Sequence, residues 1–100
     1  MLVTTLQITP QDHLTYERAT LINHKDVFYV VHTYGSSVKK IEDDRNYITE
    51  VFQVTPTLNS GNPFEWDRGY VIYQREIPTP EDHLADEAHD FAVSKYSQPF

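Results

Sequence analysis

Histidines and carboxylates carry most of the acid–base and ligand chemistry open to this chain, because its 100 residues include no cysteine. The missing thiols exclude disulfides, thiolate zinc sites, iron–sulfur clusters and cysteine nucleophiles. Two segments concentrate the remaining candidates. Thr9-Pro10-Gln11-Asp12-His13-Leu14 and Thr79-Pro80-Glu81-Asp82-His83-Leu84 agree at five of six positions. Asp12, His13, Asp82 and His83 together would offer two imidazoles and two carboxylates, a set that suits zinc or a non-haem metal. In each copy, however, the Asp and His are adjacent, so on a helix they point about 100° apart. The simpler reading is a capping recipe used twice: a hydroxyl cap, proline at the first helical position, and an acid in the first turn. A single recurrence 70 residues on also excludes a solenoid.

A second pattern follows the second copy. Asp82, Asp86 and Asp90 recur every fourth residue, with Glu87 beside them. On a helix they lie about 6 Å apart along one face. Such a row is either a solvated helix face or an acidic stripe for a basic partner, with partial mimicry of a nucleic-acid strand as its sharpest form. Residues 79–96 hold five acids and one base, a sum of -4, whereas the chain as a whole carries -7. More than half of the net charge therefore sits on that one stretch.

Two further features stand apart. His32 lies in an apolar stretch on the side of Phe28, Val30 and Tyr34. It reads as a half-buried histidine with a backbone partner, or as a general base whose acid must come from a distant segment. Phe64 and Trp66 sit in the polar stretch Asn62–Asp67, where they either fold back to plug the sheet or form a binding hot spot.

The elements that must position these residues are mostly strands. Apolar and β-branched residues predict strands over 2–8, 27–34, 47–54 and 70–77. Residues 14–23 have a poor helical stripe and many strand formers, so they read as a strand after a single helical turn near 10–13. Residues 38–46 are charged and read as an exposed loop, and 55–63 as a loop rich in proline and asparagine. Gly35 is expected to break the strand that precedes it. The clearest helix runs from a Thr79 cap to about Tyr96, with Leu84, Ala88, Phe91, Ala92 and Lys95 as one stripe. The expected architecture is α+β. It has four or five mostly antiparallel strands and one amphipathic C-terminal helix packed on a face, in a single domain spanning 1–100.

Composition narrows the function. At 39% hydrophobic and 13% aromatic the chain is too apolar to be disordered. Its acidic balance argues against direct nucleic-acid binding, and three scattered glycines leave no phosphate-cradling loop. No apolar run is long enough to span a membrane, and the N-terminus lacks the pattern of a signal peptide. A cytoplasmic location is the expectation. The reading that follows is a small acidic binding protein without enzymatic activity or cofactor, of the inhibitor, immunity, antitoxin or viral counter-defence type. It would occupy a protein partner with a basic surface through Asp82, Asp86, Glu87 and Asp90 on the helix and through Phe64 and Trp66 in the loop. The alternatives are a homo-oligomeric assembly subunit, a homodimer being its simplest form, and a small histidine–aspartate metal protein or enzyme.

Overall fold

The computed structural model describes residues 2–6, 14–36, 46–78 and 82–97. Five strands, β1 (Leu2–Leu6), β2 (Leu14–His24), β3 (Val27–Ser36), β4 (Asn46–Thr55) and β5 (Asp67–Pro78), precede one helix, α1 (Asp82–Ser97). A short 3-10 turn over Pro63–Glu65 leads into β5. The strands form one antiparallel sheet in the order β1-β2-β3-β4-β5, so each pairs with its neighbour in the chain. The α+β architecture expected from the sequence is the one found. The helical turn expected near 10–13, the loop at 38–45 and the Thr79 cap lie outside the described residues.

Antiparallel register sorts the side chains onto two faces. On the α1 side, Ile22, Val31 and Val51 pack with Ala92, and Tyr29, Tyr73, Val93 and Tyr96 surround them. Nearer the start of the helix, Tyr47 and Ile77 pack with Ala85 and Ala88. Three alanines let the helix lie close to the sheet. The buried helical stripe is thus Ala85, Ala88, His89 and Ala92, not the stripe through Phe91 that hydropathy alone predicts: Phe91 is 53% exposed. On the opposite face Val30, Phe52 and Val54 pack with Leu21 and Phe28, and Trp66 covers them.

Gly35 does not end β3. It lies inside the strand opposite Tyr47, and a Cβ there would run into the Tyr47 ring. The ring occupies the space the missing side chain leaves, and Tyr16 meets it edge-on at 5.5 Å between centroids. The β2–β3 hairpin turns through Lys25-Asp26, with Lys25 in the left-handed region at φ 59°.

Candidate functional site

The candidate residues fall into three places, two of which hold those singled out by their chemistry. The first is the seam between α1 and β2. Alternation along β2 places Tyr16, Arg18 and Thr20 on the helix side, and the helical repeat brings Asp86, His89 and Asp90 down to them. Arg18 reaches both acids, with Nη1 3.0 Å from Asp86 and Nη2 3.3 Å from Asp90. The Tyr16 hydroxyl also donates a hydrogen bond to Asp86. That hydroxyl bond and the Arg18 guanidinium hold the Asp86 carboxyl below the usual carboxylate range, while burial and the same acid push the Tyr16 phenol up. Two members of the acidic stripe are therefore paired within the chain. Glu87 lies exposed on the other flank of the helix, and Asp82 opens α1.

Beneath this seam His89 is fully buried. Its Nε2 lies 2.8 Å from Thr20 Oγ1 and its Nδ1 2.8 Å from Thr33 Oγ1, and Thr33 Oγ1 lies 2.9 Å from Thr49 Oγ1. A neutral imidazole has one donor and one acceptor nitrogen, and two hydroxyls satisfy both. Burial pushes His89 down to about 4, so it is neutral at pH 7. Every polar atom of the ring is matched inside the fold, which makes this histidine part of the packing.

The second place is the opposite face, around His32. On the antiparallel grid Glu50 lies directly across from His32, and Glu17 lies diagonally across β2. Glu17 Oε1 is 3.7 Å from His32 Nε2, an ion-pair separation too long for a hydrogen bond. Glu17 Oε2 and His32 Nε2 are buried without a hydrogen-bond partner, and the Glu17 side chain is only 7% exposed. Burial pushes His32 below its usual range, against the pull of Glu17 and Glu50. Glu50 is itself engaged by Arg68 at 3.1 Å and by the Tyr34 hydroxyl at 3.5 Å. Phe64 stands perpendicular to the His32 ring at 5.1 Å. The acid neighbours that the sequence could not supply for His32 are thus present. Yet among the described residues no three His, Asp or Glu side chains gather as a metal centre requires.

The aromatic loop belongs to this second face. Trp66 is half-buried, edge-on to Phe28 at 5.4 Å, with its Nε1–H donated to the Ser60 carbonyl at 2.7 Å. Asn62 Oδ1 caps the turn by accepting from the Phe64 N–H at 3.1 Å. The loop plugs the sheet. Phe64 and Trp66 therefore sit across the sheet from α1 and do not form one surface with Asp86, Glu87 and Asp90.

The third place was not singled out from the sequence. β5 is an edge strand, and two irregularities in its pairing with β4 fall at Ile72 and around Gly69–Tyr70. Tyr70 is 88% exposed, Val71 43% and Ile72 44%. Because α1 lies chiefly over β2, β3 and β4, a groove of about 320 Å³ remains between the helix and β5. Arg75, Ile77, Leu84, Glu87, Ala88 and Phe91 line it. The signal in the sequence was three consecutive apolar residues in a strand, Tyr70-Val71-Ile72, where one buried face needs only every second one. No protein family, no curated protein and no solved structure matches the chain.

Proposed function

We propose that this chain is a protein-binding module without enzymatic activity, and that its contact surface is the β5 edge together with the groove beside α1. One observation carries the reading: Phe91 is exposed in a groove lined by Arg75 and Glu87, and Tyr70, Val71 and Ile72 are exposed further along the same edge strand. Exposed aromatic and aliphatic anchors beside a few charges are the composition of binding hot spots. The acidic stripe takes a smaller part than its spacing implies. Arg18 already engages Asp86 and Asp90, which leaves Glu87 as the stripe's contribution to the groove. With a net charge of -7, the chain favours a partner whose contact surface is basic around an apolar centre. Inhibitor, immunity, antitoxin and viral counter-defence proteins share this mode of action, in which a small rigid surface occupies a larger one.

Affinity capture from the host organism tests the reading. The immobilised wild type is compared with Phe91→Ser and Glu87→Lys in the groove, and with Phe64→Ala across the sheet. Retained protein should be lost with the groove variants and kept with Phe64→Ala. The same eluate from all four overturns the reading.

A second reading is favoured by the unpartnered Glu17 Oε2 and His32 Nε2, which could hold and move a proton. No nucleophile contacts the pair among the described residues. An activity abolished by His32→Gln but kept by Phe91→Ser would select it.

A further inference from the structure

We infer that the regular end of β5 takes up a short extended segment of a partner protein as a sixth strand, paired antiparallel over Tyr73–Ile77. The segment carries a large apolar side chain followed two residues later by a carboxylate. The inference rests on reading the β5–α1 surface as a contact surface, and it names the chemistry of what that surface holds.

Three observations carry it. The first is the backbone. β5 terminates the sheet, and among the described residues no strand pairs with its outer side. Its two irregularities, at Ile72 and around Gly69–Tyr70, break the first half of that edge, and Pro78 has no N–H to offer. Between them, Tyr73 to Ile77 run in unbroken register with Val51 to Tyr47. That stretch spans about 17 Å, the length of a short peptide strand. Every neighbouring pair in the sheet is antiparallel, which is also the more stable pairing per residue.

The second is the groove. Strand alternation puts Tyr73, Arg75 and Ile77 on the α1 side of β5. Beside Arg75 and Ile77 lies the opening of about 320 Å³, with Leu84, Ala88 and Phe91 as its apolar wall on α1. That volume stands at the low end of ligand pockets, so it suits one anchor side chain better than a whole small molecule. A strand added outside β5 turns every second side chain to this side of the sheet, against the groove. Main-chain bonds to the edge then give affinity, and the flanking groove gives specificity.

The third is charge. Arg75 and Glu87 line the groove, and neither forms an ion pair with another described residue. Arg68 and Arg18, by contrast, are already held by Glu50 and by Asp86 and Asp90. The favourable cross-strand neighbour for Arg75 is a carboxylate. In an antiparallel segment the residue facing Ile77 comes two positions before the residue facing Arg75, so the segment reads apolar–x–acid. Glu87 and the net charge of -7 favour Lys or Arg in its flanks. The acid therefore stands alone in an otherwise basic segment.

A phage-displayed library of random nine-residue peptides, selected on the immobilised wild type and on Arg75→Glu, tests the inference. The wild type should enrich apolar–x–acid within basic flanks. Arg75→Glu should enrich Lys or Arg at the acid position, since the facing charge has changed sign. The leading wild-type peptide, synthesised with blocked ends, should bind Phe91→Ser and Arg75→Ala about tenfold more weakly, with unchanged circular dichroism, and Phe64→Ala equally well. Single N-methylations along the peptide should weaken binding at every second residue only, because alternate amides of an added strand face β5. No enrichment on the wild type, the same peptides from both targets, or a peptide indifferent to N-methylation overturns the inference. So does a concentration-dependent dimer in sedimentation equilibrium that Arg75→Glu dissociates, which gives the edge to a second copy. Host protein captured in a Phe91-dependent manner while no peptide is enriched overturns strand addition alone. If the capture eluate is the same from wild type, Phe91→Ser and Phe64→Ala, the binding-module reading itself fails, and the inference with it.

Discussion

Arg18 on β2 and Asp86 on α1 form an ion pair at 3.0 Å between residues 68 positions apart, and it fastens the helix to the second strand. Both side chains are partly exposed, so solvent screens the pair and its worth stays near 1 kcal/mol or below. Arg18→Gln should lower the unfolding free energy by about 0.5–1 kcal/mol in low salt, with the difference shrinking in high salt. The Asp86 carboxyl is held below its ordinary range. The stability it contributes is therefore present at neutral pH and is lost as pH falls through the folded-state value. Urea titrations of wild type and Arg18→Gln at two salt concentrations measure both effects.

His89 gives a larger and oppositely caused pH effect. Its ring stays neutral in the fold down to about 4, whereas a free histidine protonates near 6.5. The unfolded chain therefore binds the proton first. Stability should fall as pH drops from about 6.5 to about 4 and then level off with respect to this group, by at most about 3 kcal/mol. His89→Leu should abolish that component. It should also cost about 1–3 kcal/mol at pH 7, because Thr20 and Thr33 lose their imidazole partner. Denaturant unfolding from pH 7.5 to pH 4 on both proteins separates the two contributions.

At Gly35 the missing side chain is occupied by the Tyr47 ring. Gly35→Ala should destabilise by about 1–3 kcal/mol, since a buried tyrosine must leave its rotamer to admit one methyl group. The near-ultraviolet tyrosine signal should change with it. An alanine variant that melts with the wild type would mean that the ring repacks without cost.

Trp66 is the only tryptophan, and it lies on the face opposite α1. Its half-buried ring should emit to the blue of free indole. Binding of a protein at the β5–α1 surface should leave that emission unchanged. Trp66→Ala should cost about 3 kcal/mol by uncovering Phe28 and the apolar patch beneath it. A shift of the emission maximum on complex formation would place the contact on the wrong face.

Much of the fold was legible because strand periodicity and turn chemistry are local. Val27 to Tyr34 and Tyr47 to Val54 announce β3 and β4 by composition, and residues 14–23 form a strand because their register with β3 buries Ala19 and Ile22. The helix was legible, but not its buried face. Hydropathy ranks Phe91 above His89, yet only the histidine finds hydroxyls on β2 and β3, and the phenylalanine lies on the flank that α1 leaves uncovered. The acid partners of His32 and the Arg18 clasp on Asp86 and Asp90 depend on register between strands and on contacts about 70 residues long, which spacing within one segment does not encode. The exposed run on β5 was written in the sequence, but only the sheet order places it at the rim.

Because strand order follows chain order, the sheet can zip hairpin by hairpin, each step closing only a short loop. The helix is the exception: its contacts with β2 span the whole sheet sequence. A nascent chain therefore exposes the tyrosine-rich side of its sheet to every chaperone and neighbour until α1 has been synthesised, and docking of that helix is the event that makes the molecule safe to release.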